Sequence, residues 1–162
     1  MNTSAPTQGE FLFAAELWLP RSREEIFPFF ADARNLQRIT PPWLSFEVLT
    51  PEPITLRAGT LIDYRLKIHG FPLRWRTEIA EWEPPRRFVD TQLRGPYRLW
   101  HHTHTFEERD GGTLCGDRVR YRVPGGALVH ALFVKRDVAR IFEFRRLKLL
   151  EIFGSSPARL QS

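Results

Sequence analysis

The sequence predicts an α+β fold: a curved antiparallel sheet of about seven strands, two short helices after strand 1, and a long C-terminal helix packed across the sheet. Two observations carry this prediction. After the short helices, six consecutive segments carry strand signals, most clearly the alternation of apolar and polar residues, and none has a helical pattern. The final segment, 127–153, contains no proline or glycine and repeats apolar residues at spacings of three and four. At 1.5 Å per residue this helix is about 40 Å long, which is enough to cross a whole sheet.

The first strand and the two short helices are predicted from local signals. Alternating apolar residues predict strand 1 over 10–19. Ser22 and Glu25 then have the spacing of a capping box, so the first helix begins there, and Pro28 limits its length. A second short helix is predicted over 33–39.

The remaining strands are separated by glycine- and proline-rich turns. They are predicted over 46–49, 60–69, 73–82, 88–93, 97–106 and 114–123. Asp110-Gly111-Gly112 is a strong hairpin signal, and Gly70 and Gly95-Pro96 mark two other turns. The segment 88–93 has no clear alternation, so its faces are left unassigned.

The most informative strand is the segment YRLWHHTHTF at 97–106. Its alternation places Trp100, His102, His104 and Phe106 on one face of the strand. A buried strand face is usually filled with valine, isoleucine and leucine. A lining of imidazoles and large rings therefore indicates a cavity that holds a ligand.

The hairpin turns predict which residues lie opposite one another. A four-residue turn at 109–112 places His104 opposite Asp117 and Trp100 opposite Tyr121. In this register His102 faces Val119 and has no acidic neighbour. A carboxylate opposite His104 would fix its tautomer, raise its pKa and prepare it as a base.

A second hairpin contributes to the same interior. A turn at 69–72 places Leu66 opposite Trp75 and Tyr64 opposite Thr77. The other face of these strands carries charged side chains that suit water. Arginines 136, 140, 145 and 146 are interpreted mostly as a solvated face of the last helix.

Composition and charge limit the classes of function that this chain can have. The chain has 162 residues and a formal net charge of +5, and we expect one domain over 1–162, with a core at 10–154 and flexible termini at 1–8 and 155–162. Its arginines are interspersed with acidic residues, so we expect no nucleic-acid partner.

A single cysteine, Cys115, allows no internal disulfide, and we find no signal peptide and no segment that could span a bilayer. We therefore expect a cytoplasmic protein with no stable membrane insertion, in an oligomeric state that the sequence leaves open.

The segments 20–44, 69–90, 95–107 and 111–126, with the closing arginine-rich helix, together resemble the START-like superfamily. This superfamily is also called SRPBCC or birch-pollen-allergen-like, and its fold is named the helix grip. The chain is most similar to bacterial members of the polyketide cyclase/dehydrase type, and the resemblance covers 10–154. It implies a cavity between sheet and helix, but it names no substrate.

Three functions stay open. The leading one is binding of a small hydrophobic or aromatic molecule between the sheet and the C-terminal helix. The first alternative is a cyclase/dehydratase-type enzyme in which His104 and Asp117 act as the acid–base pair and Tyr64 or Tyr121 stabilises an enolate. The second is a ligand-free stress or cell-division-related interaction protein, an idea that rests on family labels. The predicted ligand-binding residues are Tyr64, Trp75, Thr77, Trp100, His102, His104 and Tyr121.

A metal site is the remaining interpretation of the two histidines. His102, His104 and Asp117 have the composition of a metal site. Because this set lacks a clear fourth ligand, we expect no metal and no cofactor.

Overall fold

The computed structural model describes residues 7–155 and contains one seven-stranded antiparallel sheet in the order β1-β7-β6-β5-β4-β3-β2. The strands are β1 (Phe11–Leu19), β2 (Glu47–Val48), β3 (Leu61–Ile68), β4 (Phe71–Glu83), β5 (Arg87–Arg94), β6 (Leu99–Arg109) and β7 (Gly112–Arg122). The helices are α1 (Arg23–Phe30), α2 (Asn35–Arg38), α3 (Gly126–Val129) and α4 (Lys135–Phe153). The predicted α+β architecture is confirmed. The expectation of flexible termini lies outside the described residues, apart from positions 7, 8 and 155.

The long C-terminal helix contains one irregular turn. A π-helical turn at His130–Val134 joins α3 to α4, whereas the sequence predicts regular helix over 127–153. His130 stacks on Phe11 with ring centroids 3.5 Å apart, and its Nε2 lies 2.9 Å from the Tyr121 hydroxyl oxygen. The wider turn thus coincides with the contacts that hold this end of the helix against the sheet.

Helix α1 begins with the predicted capping box. The Ser22 hydroxyl accepts a hydrogen bond from the Glu25 amide at 3.3 Å, and the Glu25 carboxylate accepts one from the Ser22 amide at 3.1 Å. The helix buries Ile26 and Phe27 in the core, although Pro28 lies within it. Its eight residues are too few for a helix that is stable without such support.

Replacement of Ser22 by alanine is expected to lower the free energy of unfolding by about 1 kcal/mol, because the Glu25 amide loses the hydroxyl acceptor of the cap. Urea denaturation measures this loss. Ser22→Asp keeps an acceptor at the cap and is expected to retain the stability of the original protein. Equal stability of Ser22→Ala and the original protein would contradict a role for the cap.

The predicted register of the β6–β7 hairpin is confirmed. His104 lies opposite Asp117, and Trp100 lies opposite Tyr121. The β5–β6 ladder adds a pairing that the sequence left open, in which Asp90 lies opposite His102.

The predicted register of the β3–β4 hairpin is wrong by two residues. Tyr64 lies opposite Trp75 and not opposite Thr77. The cause is a tighter turn than predicted: His69 and Gly70 both have positive φ, 49° and 82°, as in a two-residue hairpin loop. A shift of two residues keeps every side chain on its face of the sheet, so the predicted interior is retained.

Helix α4 crosses the concave face of the sheet. Its buried positions are Val138, Phe142, Arg145 and Leu149, and Phe142 stacks on Phe13 of β1 with ring centroids 4.4 Å apart. The buried apolar residues form three separate clusters along this face.

The convex face carries charged pairs. Arg76 donates to both oxygens of Asp63 at 2.8 and 2.9 Å, and both side chains are more than 40% exposed, so the pair adds little stability.

None of the helices within residues 7–155 is long and apolar enough to cross a membrane.

Candidate functional site

A cavity of about 210 Å³ lies between the concave face of the sheet and α4. Helices α1 and α2 close its side, so every element predicted to cover the sheet contributes to its wall. Its lining is predominantly apolar. The apolar and aromatic part of the lining includes Trp75, Phe88, Trp100 and Ile141.

One part of the wall is polar and charged. Asp90 of β5, His102 and His104 of β6, and Arg145 of α4 all line the cavity. Asp117 of β7 contacts these residues from behind and lines a smaller cavity between β1, β7 and α4. We refer to these five residues as the buried cluster.

The two histidines are held between the two carboxylates. His102 Nε2 lies 2.8 Å from Asp117 Oδ1, and His104 Nε2 lies 2.7 Å from Asp90 Oδ2. The other ring nitrogens are more distant from a carboxylate: His104 Nδ1 is 3.2 Å from Asp117 Oδ1, and His102 Nδ1 is 3.5 Å from Asp90 Oδ2. The imidazole rings lie side by side with centroids 3.7 Å apart, and His104 stacks on Phe88 at 4.1 Å.

Arg145 completes the cluster from the opposite side of the cavity. Its Nη2 atom lies 3.3 Å from Asp117 Oδ1, and its guanidinium stands over the ring of Phe30 at 5.3 Å. Only 9% of its side chain is exposed. The interpretation of Arg145 as part of a solvated face is therefore wrong, although Arg136, Arg140 and Arg146 are exposed as expected.

The sequence predicted only part of this arrangement. The prediction that His102 has no acidic neighbour is wrong, because Asp117 lies diagonally across the ladder and bonds to it. Asp90 was missed because the segment 88–93 showed no alternation. A signal existed for Arg145: it follows Val138 and Phe142 and precedes Leu149 at core spacing.

Both carboxylates are held in the ionised form. Burial alone would raise the pKa of Asp117, but the charge of Arg145 and hydrogen bonds from both histidines outweigh it and hold that pKa well below its ordinary value. Burial likewise opposes ionisation of Asp90. The charge of His102 and the hydrogen bond from His104 lower the Asp90 pKa nonetheless.

The pKa values of the two histidines are shifted in opposite directions. Burial lowers the pKa of His102, and the positive charge of His104 lowers it further. Burial also disfavours the charged form of His104, but its hydrogen bonds to Asp117 and Asp90 prevail and raise its pKa. The guanidinium of Arg145, 3.3 Å from Asp117, offsets part of the negative charge of the two buried carboxylates.

Of the other five predicted ligand-binding residues, four line the cavity and one does not. Tyr64, Trp75, Thr77 and Trp100 line the cavity. The Trp75 indole nitrogen donates to the Thr77 hydroxyl at 3.0 Å, and Trp75 meets Trp100 edge to face at 5.5 Å. Tyr121 is not among the lining residues. It packs against Val119 and Val138 in a separate core cluster.

Cys115 is buried beside the cluster. Burial raises the pKa of its thiol to about 12, which keeps the sulfur protonated and unreactive at neutral pH.

Comparison with known proteins identifies the family. Residues 19–143 match the family model described as polyketide cyclase/dehydrase and lipid transport. No curated protein matches the chain.

Solved structures share the fold at low sequence identity. Protein Ms6760 from Mycobacterium smegmatis superposes with a TM-score of 0.64 at 18% identity, over 87% of this chain and 89% of that one. Ginseng major latex-like protein 151 from Panax ginseng superposes with a TM-score of 0.66 at 9% identity, over 89% and 97%. The protein TTHA0849 from Thermus thermophilus gives 0.59 at 19% identity, over 88% and 99%.

The family match spans most of the chain, and the sheet, short helices and long C-terminal helix have the helix-grip arrangement. The chain therefore belongs to the polyketide cyclase/dehydrase and lipid transport family of the START-like superfamily.

Proposed function

We propose that this protein binds a small hydrophobic or aromatic molecule in the cavity between the sheet and α4. The observation that carries the proposal is a predominantly apolar cavity whose wall includes four residues of the buried cluster. Apolar burial supplies most of the affinity of such a site, and a few fixed polar groups orient the ligand.

The volume limits the size of the ligand. An apolar cavity of about 150 Å³ holds benzene, and sites for drug-sized molecules begin near about 300 Å³. At about 210 Å³, the cavity suits a molecule of one or two rings. The edges of Trp75 and Trp100 provide aromatic contacts for such rings.

The charged wall favours a ligand that carries a hydroxyl or carbonyl oxygen. His102 is the cluster member best placed to orient it, because its Nδ1 is 3.5 Å from Asp90 and is not fully used by the protein. Tyr64 and Thr77, on neighbouring strands, contribute further hydroxyl groups to the wall, as do Thr40 and Tyr97.

Two measurements test the proposal. Native mass spectrometry of the freshly purified protein is expected to show a retained small molecule. Titration with 2-naphthol is expected to quench tryptophan fluorescence, and naphthalene, which lacks the hydroxyl, is expected to bind at least about tenfold more weakly, the equivalent of one hydrogen bond. A protein that carries no molecule and shows no response to either compound would refute ligand binding.

A cyclase/dehydratase-type activity is the second candidate, because titratable groups with shifted pKa values line the cavity. In this hypothesis His104, paired with Asp117, removes a proton next to a carbonyl group, and Tyr64 stabilises the enolate. Tyr121, the alternative stabiliser, lies outside the lining. His104→Gln is expected to abolish turnover with the fold intact, and unchanged turnover would exclude this role.

The third candidate, a ligand-free interaction protein with a stress or cell-division role, is separated from the first two by the same titration. We also propose a cytoplasmic location and no nucleic-acid partner, on the basis of the single cysteine and the interspersed charges.

A further inference from the structure

We infer that Asp90, His102 and His104 form a binding site for one divalent transition-metal ion, of the Zn²⁺, Co²⁺ or Fe²⁺ class, in the wall of the cavity. Each of the three residues offers a ligand atom, and these atoms lie within 4.8 Å of one another. Two imidazoles and one carboxylate are a donor set that suits these ions. The site shares the cavity with the proposed organic ligand, and a bound ion would take His102 Nδ1, so that the ligand oxygen would contact the ion in place of the imidazole. Metal binding itself does not depend on that ligand.

The separations of the ligand atoms are close to those of a metal site. Bonds of about 2.0–2.2 Å at tetrahedral or octahedral angles place neighbouring ligand atoms about 3.0–3.5 Å apart. Asp90 Oδ2 lies 2.7 Å from His104 Nε2 and 3.5 Å from His102 Nδ1, so the observed separations bracket that range.

Asp117 has the position of an orienting carboxylate. It contacts the nitrogen of each imidazole that points away from the proposed ion, His102 Nε2 at 2.8 Å and His104 Nδ1 at 3.2 Å. A hydrogen bond from His102 Nε2 to Asp117 leaves His102 Nδ1 with a lone pair for the metal. His104 Nδ1 lies 3.2 Å from Asp117 Oδ1 and 3.3 Å from Arg145 Nη2, and metal binding requires the tautomer in which this nitrogen donates to Asp117. Arg145 contacts Asp117 and offsets its charge.

The surroundings leave coordination positions for a ligand. Asp90, His102 and His104 line the cavity, and Asp117 does not, so the open side of the site faces the apolar space. Three protein ligands with an open position are the arrangement of a catalytic metal site, so the missing fourth ligand, for which the sequence led us to expect no metal, does not exclude one. Two carboxylates, one guanidinium and a divalent ion leave one positive charge, which favours an organic ligand with an anionic oxygen such as a phenolate or an enolate.

The test uses the full-length protein without a histidine tag, after removal of metals with a chelator. Titration with Co²⁺ is expected to produce visible absorption bands that saturate at one equivalent, and calorimetry with Zn²⁺ is expected to give the same stoichiometry. Asp90→Asn and His102→Gln are expected to weaken binding at least about 100-fold. Asp117→Asn is expected to weaken it by about 10–100-fold, as is typical of orienting carboxylates.

His101→Gln is the matched control, because His101 lies on the same strand with its side chain on the other face of the sheet. It is expected to bind the metal as the original protein does. A folded original protein that takes up no Co²⁺ or Zn²⁺ would overturn the inference, and so would unchanged binding in folded Asp90→Asn.

A measurement on the original protein covers the case in which the variants do not fold. In nuclear magnetic resonance spectra, Zn²⁺ is expected to shift the ring signals of His102 and His104 and to leave those of His69 and His101 in place. Shifts confined to His69 or His101 would also overturn the inference. A protein that binds the metal but retains no small molecule and responds to neither 2-naphthol nor naphthalene would refute the proposed ligand and leave the metal site standing.

Discussion

Arg145→Leu is expected to lower the free energy of unfolding by about 3–5 kcal/mol, the typical cost of removing one partner from a buried ion pair. Leucine retains the apolar, buried character of the aliphatic part of Arg145 but removes the charge and the hydrogen bonds of the guanidinium. Asp117 would then keep a buried negative charge with no guanidinium at 3.3 Å. The contact of the guanidinium with the Phe30 ring would also be lost.

Arg146→Leu is the matched control, since the neighbouring residue on α4 pairs with Glu143 at the surface. Both side chains of this pair are more than 40% exposed, so the expected loss is at most about 1 kcal/mol. Urea unfolding of the two variants measures the difference. If Arg145→Leu and Arg146→Leu are equally stable, the buried cluster does not support the fold.

A double variant separates charge from packing. Asp117→Asn removes the charge that Arg145 compensates, so Asp117→Asn with Arg145→Leu is expected to be more stable than the sum of the single effects predicts. Additive losses would indicate that Arg145 acts through its contact with Phe30 and not through its charge.

Local sequence signals were sufficient for most of the fold. The β6–β7 register followed from Asp110-Gly111-Gly112, because glycine at a hairpin fixes both the turn and the pairing of the strands. The β3–β4 register was missed by two residues because His69 adopts positive φ at 49°, a conformation that histidine adopts much less readily than glycine.

The candidate site was only half predictable. Strand alternation placed His102 and His104 on one face, and the hairpin register placed Asp117 opposite His104, but the contact of Asp117 with His102 was missed. Alternation and register were not sufficient for Asp90, because β5 pairs with β4 through two register shifts and its buried Phe88 and Val89 are consecutive. Periodicity cannot assign faces in such a strand.

Arg145 was missed for a different reason. Its spacing from Val138 and Phe142 places it on the buried face of α4, yet arginine is almost never buried without a partner. The partner, Asp117, is 28 residues away on another element. A helical pattern can therefore show that a charge faces the core, but the fold is needed to show what neutralises it.

The second large effect concerns the cavity itself. Ile141→Trp is expected to abolish binding of 2-naphthol, because Ile141 lines the cavity from α4 and an indole at this position would occupy the space of the ligand. Since the added atoms enter an existing cavity, we expect the free energy of unfolding to change by less than the roughly 1–3 kcal/mol that overpacking of a filled core costs.

Leu147→Trp provides the control on the same helix. Leu147 is 52% exposed and is not among the lining residues, so this variant is expected to bind 2-naphthol as the original protein does. Fluorescence titration and urea unfolding of the two variants give both quantities. A destabilised Ile141→Trp would mean that protein atoms already fill the cavity, because overpacking is costly only in a filled core. A stable Ile141→Trp that still binds 2-naphthol would place the ligand elsewhere on the molecule, because an occupied cavity leaves no room for two rings.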